Sequence, residues 1–439
     1  MMMTIATVKK EYATADTTIK MKELFLSHQV LNDILLNGLT TKKAIRNVFL
    51  KYPKDKSNAS LVGVLVGCEL RHHILFSENF VDVFAGLSDE EKNLVYLALA
   101  NAFFLKKLDK KDVEKHVKDV LKDKYSSRIE ELLHYEGHTS ELINIDKTSG
   151  KYTSIRFNTP EWLIKMWKKH YGNRVAYKIL KANITPARTY VAKNTYFDEV
   201  VLTSDFKKTY IDGVFEYTAK SSIRKLPLYQ SQSGLGAIYR INPLLKQVID
   251  KYQNPLLSEW TLFSDEDDDI VKYLYVKSNQ KIGINLIVND TEKRADLLRL
   301  MRIEKMKNIL MFKGDNPIAL KTGLTHKQEF ILANPASSSF NRIRLYPDYI
   351  FNFKRENIDA LIKNQEECLE NLSQFVINGG VLIYTVDTLN KKETVGVISN
   401  FLEKHDDYEL VEQAQHFPFE DIGVTFYYAV LKKKESSND

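Results

Sequence analysis

Cysteine is nearly absent: Cys68 and Cys368 are the only two in 439 residues, too few and too far apart for a disulfide framework or a cysteine-liganded zinc. No uninterrupted apolar run reaches the ~18 residues of a membrane helix, so no membrane association is expected. Met1 to Lys22 contains Lys9 and Lys10 but no apolar core, so no signal peptide is expected and the compartment reads as reducing cytoplasm. Ser337-Ser338-Ser339 lacks the flanking glycines of a nucleophile elbow and reads as a Ser-rich loop. Gly234-Leu235-Gly236 is too sparse to be a phosphate loop. No metal site is expected: His72-His73 with Glu69 lies on an amphipathic helix, and His134 and His138 lack a third ligand. Excess charge is also small, 63 Lys+Arg against 57 Asp+Glu, a net +6 that alone argues only weakly for a polyanionic partner.

What is present is a composition ordinary for a globular protein, 44% hydrophobic and 27% charged, in a chain long enough for roughly three domains at about 150 residues each. The positive charge is clustered, at Lys106-Lys107 and Lys110-Lys111, Lys165 and Lys168-Lys169, Lys207-Lys208, Arg342 and Arg344 with Lys354-Arg355, and Lys432-Lys433-Lys434. From Met21 to Lys124 the apolar spacing is helical, with one stripe over Leu24, Phe25, Val30, Leu31, Ile34 and Leu35 and another over Leu61, Val62, Leu65, Val66, Leu70 and Ile74. Ser88 and Glu91 form a capping box for a further helix. A compact all-α domain is expected over 20–136, and the Gly/Ser/Thr-rich stretch 137–158 reads as a linker. Thr159-Pro160-Glu161-Trp162 opens a basic, aromatic helix, with Thr159 as N-cap, ending near Tyr171-Gly172. The region 159–255 is mixed α+β, with strand-like Thr189–Ala192 and Glu199–Leu202 and a helix from Asn242-Pro243.

From Trp260 strands and helices alternate. Strands are expected at Trp260–Phe263, Gly283–Val288, Asn308–Phe312, Glu329–Ala333, Val381–Val386, Tyr408–Gln413 and Thr425–Leu431, and helices at Asp268–Val276, Thr291–Ile303, Ile358–Val376 and Lys392–His405. That is the pattern of a doubly wound α/β domain, placed at 256–434, with ligands in the crevice at the carboxyl ends of the strands. Asn378-Gly379-Gly380 reads as the left-handed stop of the Ile358 helix. The loop after strand Glu329–Ala333, Pro335-Ala336-Ser337, with Arg344-Leu345-Tyr346-Pro347-Asp348 beyond it, is where such a fold keeps its chemistry.

These pieces, in order, resemble the Sun/Fmu (RsmB-type) family of 16S rRNA cytosine 5-methyltransferases. Gly67-Cys68-Glu69-Leu70-Arg71 resembles a helix of the family's NusB-like domain. Thr159-Pro160-Glu161-Trp162-Leu163, Tyr171-Gly172 and Lys181-Ala182-Asn183 resemble its RNA-binding linking region. Ala333-Asn334-Pro335-Ala336-Ser337 and Arg344 to Asp348 stand where the family has Asp-Ala-Pro-Cys-Ser and Arg-x-x-Pro-Asp. Gly379-Gly380-Val381-Leu382-Ile383-Tyr384-Thr385-Val386-Asp387-Thr388 stands where it has Gly-Gly-x-Leu-Val-Tyr-x-Thr-Cys-Ser, and Phe426 to Lys433 matches its closing strand. The resemblance implies a NusB-like all-α domain, an RNA-binding linking region and a Rossmann-like S-adenosylmethionine (SAM) methyltransferase domain. It implies ribosomal RNA or the small ribosomal subunit as partner, with the helical domain open to a protein partner.

Cytosine C5 methylation needs a thiolate to add to C6. The resemblance places Asp387 at the nucleophilic Cys, Ala336 at the assisting Cys and Ala333 at the base-holding Asp, so no catalytic position is intact. The glycine loop that would cradle SAM is replaced by Ser264-Asp265-Glu266-Asp267-Asp268-Asp269, in which Ser264 or Asp265 reads as a helix cap. Asn289 stands at the ribose-binding acid, and Gly314-Asp315 at the adenine-proximal Gly-Asp; Asn289 and Asp315 are the weak cofactor candidates. The expectation is an RNA-binding relative of the methyltransferases that has lost the reaction and acts on rRNA or ribosome assembly, with an active SAM-dependent enzyme using a rebuilt site as the alternative. Arg342, Arg344, Lys354 and Arg355 are the expected phosphate contacts, Arg344 and Asp348 having the alternative of pairing with each other.

Overall fold

The computed structural model describes residues 21–143, 145–197, 200–219, 221–229, 236–252, 259–265, 268–279, 281–314 and 317–435. The chain divides into two compact units, one reaching to Glu161 and including Tyr346–Asn352, the other formed by Trp162–Leu345 and the chain from Phe353 onward.

The first unit is helical: α1 Lys22–Leu35, α2 Thr41–Lys51, α3 Ala59–Asn79, α4 Asp89–Ala100, α5 Lys110–Leu121, α6 Ser127–His134 and α7 Gly150–Phe157. The stripes read from the sequence are its core, with Leu24, Val30, Leu31, Ile34, Val62, Leu65, Val66 and Leu70 all fully buried. The segment Pro53–Asn79 is long and apolar enough to span a bilayer, and 44% of its apolar window is buried within the unit. The capping box is formed, Ser88 Oγ accepting from the Glu91 amide at 3.2 Å and Glu91 returning a carboxylate to the Ser88 amide at 2.7 Å. The stretch read as a linker is partly ordered as α7, because Ser149 caps its first turn and Asn158 pins its end to α3, accepting from Ile74 N and donating to Leu70 O. The apolar period of an eight-residue helix is too short to read.

In the second unit α8 runs Glu161–Asn183 and breaks at Gly172, whose φ of 78° is open to glycine at little cost. Thr159 does not cap it; its hydroxyl donates to Phe157 O. Four antiparallel strands follow, β1 Thr189–Lys193, β2 Phe206–Lys208, β3 Val214–Tyr217 and β4 Ile238–Arg240, in the order β2-β3-β1-β4, and then helix α9 Pro243–Tyr252. The expected strand Glu199–Leu202 is not one: Glu199 lies outside the described residues and Val200–Leu202 is irregular.

The main sheet has seven strands, β5 Glu259–Ser264, β6 Gly283–Ile287, β7 Ile309–Phe312, β8 Gln328–Asn334, β9 Val376–Val386, β10 Tyr408–His416 and β11 Phe426–Lys433, in the order β10-β11-β9-β8-β5-β6-β7. β5 to β9 are parallel, and β11 runs antiparallel between β9 and β10. Helices α10 Asp268–Lys277, α11 Thr291–Ile303 and α12 Pro317–Gly323 connect β5 to β8, the short α13 Tyr349–Asn352 belongs to the helical unit, and α14 Asn357–Ser373 leads to β9. A π-helical turn, Lys392–Gly396, and α15 Val397–Lys404 lead to β10. The central strand β8 is apolar on both faces, Phe330, Ile331, Leu332 and Ala333 being buried, as a strand covered by helices on both sides requires. The chain order reverses between β5 and β8, which makes their carboxyl ends the switch point of the sheet. The left-handed Gly379 does not stop a helix; α14 ends at Ser373, and Gly379 (φ 78°) sits in a bulge of β9 where the register with β8 jumps between Gln328 and Phe330.

Candidate functional site

At the switch point the loops after β5, β6 and β7 are tied to one another. Asp265 follows β5; its backbone amide donates to Asn334 O at 3.0 Å, and its carboxylate accepts from the Asn289 amide after β6 at 3.2 Å. Asp265 therefore does not cap α10, which starts at Asp268. The Asn289 side-chain carbonyl in turn accepts from the Gly314 amide after β7 at 2.8 Å. Burial holds the Asp265 carboxyl above its ordinary range, opposed by amides at Asn289 and Asp290. Gly314 is required by packing: a Cβ there would lie 2.5 Å from Ile287 and 2.6 Å from Leu320. Asp315 lies outside the described residues. The remaining cavity, lined by Asp265, Asn289, Gly314, Ala336, Asn364 and Cys368 among others, holds about 230 Å³. That is below the ~300–1,000 Å³ typical of small-molecule sites. Burial pushes the Cys368 thiol well above its usual range, so it offers no thiolate.

The loops after β8 and β9 leave side by side, because Ala333 is in register with Tyr384; Ala336 and Asp387 each follow three residues later. They are held by a group the sequence reading missed, Glu393. Its buried carboxylate accepts from the Ser338 amide at 2.7 Å, the Ser338 hydroxyl at 2.5 Å, Asn390 Nδ2 at 2.9 Å and Gln365 Nε2 at 3.1 Å. Ser338 Oγ also meets Thr388 Oγ1 at 2.6 Å, and Gln365 Nε2 donates to Ala336 O. Burial raises the Glu393 carboxyl above its ordinary value despite these donors. A Glu inside Asn390-Lys391-Lys392-Glu393 looks like part of a solvated run, and only its place at the start of an apolar helix hinted at burial. Asp387 is half-buried, Ala333 buried and Ala336 half-buried.

Phe340, fully buried against Trp162, Trp167 and Phe353, anchors the 3-10 turn Phe340–Arg344 that carries the expected phosphate contacts. Arg344 is committed to protein. Its guanidinium donates to Thr185 O at 3.3 Å, Pro186 O at 2.7 Å and Gly423 O at 2.9 Å, and burial lowers its pKa. Asp348 has a partner in the helical unit, accepting from the Thr41 amide at 3.1 Å, so the two side chains have separate roles. Arg342 is half-buried, and Lys354 and Arg355 are exposed.

A second set of cations flanks the Asp387 loop. His170 of α8 accepts from the Lys391 amide at 3.3 Å, and burial with Lys391, Lys169 and Lys392 nearby holds its pKa down. Lys391 Nζ lies 5.1 Å over Tyr171, Tyr171 meets Phe417 edge-on at 5.1 Å, Phe417 stacks on Phe419 at 5.2 Å, and Lys178 Nζ lies 5.2 Å over Phe419. With Lys168, Lys169 and Lys392 also exposed, this is a strip of alternating cations and rings. The sequence showed the basic, aromatic helix but not that Phe417, Phe419 and Lys391 join it.

Three of the histidines weighed for metal, His72, His73 and His134, contact neighbouring side chains. His73 Nδ1 meets Glu69 at 2.7 Å, and His72 stacks on Phe104 with its pKa lowered by burial to about 4. His134 does have two further carboxylates close by, Glu114 and Glu130, but the Lys118 ammonium lies 2.6 and 3.5 Å from them, supplying the cation.

Residues 284–438 match the family model described as 16S rRNA methyltransferase RsmB/F. The probable ribosomal RNA small subunit methyltransferase B of Bacillus subtilis is 22% identical over 261 residues, 57% of either chain, and the ribosomal RNA small subunit methyltransferase B of Yersinia enterocolitica is 30% identical over 111 residues, 24% of this chain and 26% of that one. The chain thus spans about half or less of the length of these curated relatives. The crystal structure of PH0851 superposes with a TM-score of 0.71 at 15% identity, covering 95% of this chain and all of that one. A methyltransferase homolog from Pyrococcus horikoshii gives 0.52 at 16%, covering 65% and 99%. These likenesses bear on the fold, and they agree with the order of motifs: the C-terminal α/β region of this chain resembles the RsmB/F family of 16S rRNA methyltransferases.

Proposed function

We propose that the protein binds ribosomal RNA in the cytoplasm, in the small subunit or its assembly, without transferring a methyl group, and that its helical unit is NusB-like. The observation that carries this reading is the Asp265–Asn289–Gly314 chain. The backbone amides of Asn289 and Gly314, at the strand ends where this fold class binds its ligand, are used internally, and a half-buried carboxylate stands where the anionic end of SAM would need donors. The residues present do not fit the cofactor. Ala336 and Asp387 at the two thiol positions supply no nucleophile able to add to cytosine. RNA contact is supported by the strip of Lys168, Lys169, Tyr171, Lys178, Lys391, Lys392, Phe417 and Phe419, since exposed cations alternating with rings suit phosphates and stacked bases.

Calorimetric titration with SAM tests the reading, together with transfer of radiolabelled methyl groups to 16S rRNA and to small subunits. No saturable heat at millimolar SAM and no incorporated label are expected. Clear turnover would sink the proposal in favour of a methyltransferase with a rebuilt site.

A further inference from the structure

A cavity of about 660 Å³ lies in the helical unit, lined by Asn101, Lys106, Lys107, Lys110, Tyr135 and Glu136 among others. Its rim is deliberately shaped. After α4 the backbone takes a π-helical turn, Asn101–Leu105, and Lys106 then adopts a left-handed conformation with φ 49°, which a side chain-bearing residue enters only at a cost. The buried Asn101 holds the loop in that shape: its side-chain oxygen accepts from the Lys107 and Leu108 amides, both at 3.0 Å, and its amide donates to Leu108 O at 3.1 Å. The effect is to hold Lys106, Lys107 and Lys110 at one opening.

The acids nearby leave that charge largely uncancelled. Asp109 is used as the α5 cap, accepting from the Lys111 and Asp112 amides at 3.0 and 3.1 Å. Glu136 reaches only Lys110, at 3.8 Å, and is almost fully exposed. Among the described residues neither Lys106 nor Lys107 has an acidic partner. Tyr135 supplies a ring, braced edge-on by Phe103 at 6.2 Å and held through its hydroxyl to Glu141 at 2.8 Å. Strain of this kind persists where the surroundings over-determine it, and here they fix the backbone that sets Lys106, Lys107 and Lys110 along an open cleft beside an aromatic ring.

We propose that this cleft is a second nucleic-acid site, binding single-stranded RNA with phosphates on Lys106, Lys107 and Lys110 and a base against Tyr135. It rests on the RNA-binding reading above but uses none of the residues of the Lys391 strip. The experiment is fluorescence anisotropy of the full chain with a labelled oligouridylate over a salt series. Replacing Lys106, Lys107 and Lys110 together by Ala weakens binding about tenfold and lowers the salt slope by about 2, three contacts each contributing about 0.7 on a single strand. Replacing all three by Arg retains both, and Tyr135→Phe, which keeps the ring, retains affinity while Tyr135→Ala loses about tenfold. Circular dichroism melts of each variant exclude unfolding as the cause. Unchanged affinity and slope in the triple Ala variant would overturn the cleft. So would polyglutamate binding that the triple Ala variant abolishes while RNA binding persists, since the cleft would then be an acidic-peptide site. A wild-type chain that binds no oligouridylate and no 16S rRNA would overturn the RNA reading as a whole. Loss of RNA binding on Lys168→Glu, Lys169→Glu and Lys391→Glu with the cleft variants unaffected would overturn the cleft alone.

Discussion

The two halves of the sheet edge at the switch point are held together in different ways. At the ends of β5, β6 and β7 the expected ligand groups have been turned on each other, Asp265 to Asn289 and Asn289 to Gly314, and the crevice is small. At the ends of β8 and β9 the loops carrying Ala333, Ala336 and Asp387, the residues that the resemblance sets at the family's reacting positions, are held by a dense internal scaffold around Glu393. The first half is joined by single hydrogen bonds from strand-end amides, each of which needs a partner where it is shielded from water. A loop held by a buried carboxylate cannot relax in the same way, since releasing it would orphan several buried donors.

The largest test of that contrast is Glu393→Ala. It leaves the Ser338 amide and hydroxyl, Asn390 and Gln365 short of an acceptor, and a loss of about 3–4 kcal/mol is expected in urea unfolding, while Asp265→Ala, at the already closed side, costs about 1 kcal/mol. Equal losses would erase the distinction. Arg344→Ala removes three donors to backbone carbonyls, and about 2 kcal/mol is expected with the salt slope of RNA binding unchanged; a drop in that slope would return Arg344 to the RNA surface. Gly314→Ala forces a methyl against Ile287 and Leu320, for about 1–2 kcal/mol lost in thermal melts.

The smallest effect is in the pH dependence, in which Glu393 and Asp265 act in the opposite direction from His28 and His72. Glu393 and Asp265 have raised pKa values when folded, so their contribution is full below the ordinary carboxylate range and is lost as pH rises through the raised values. In the helical unit burial lowers His28 and His72 to about 4, so their contribution is full above about 6.5 and is lost as pH falls toward 4. Amide exchange followed from pH 7 to 5 should show protection falling first in α1 and α3. Earlier loss in β8 or β9 would contradict the assignment.

The sequence made the order of strands from Trp260 legible, because a parallel sheet covered on both sides writes unbroken apolar runs such as Phe330 to Ala333. The four-stranded sheet was harder to see: β2 and β4 have three residues each, too few to show a period. Of the site, motif order alone sets Ala333, Ala336 and Asp387 opposite the family's reacting positions. Glu393 could not, since burial of a lone acid depends on donors from Ser338, Gln365 and Asn390, which only folding assembles. Arg344 looked like a phosphate contact because nothing in its neighbourhood along the chain predicts carbonyls from Thr185, Pro186 and Gly423, the nearest of them 79 residues away.

The helical unit includes Tyr346–Asn352, where Asp348 accepts from Thr41, Asn352 donates to Leu39 O and Phe351 packs on His73. That unit is therefore unfinished when translation has reached Glu161, and it waits for some 190 more residues before its last piece arrives. A fragment cut after Glu161 would correspond to that nascent stage, with the Thr41 amide and Leu39 carbonyl still open, and a chaperone acting on this chain would meet the helical unit in that state.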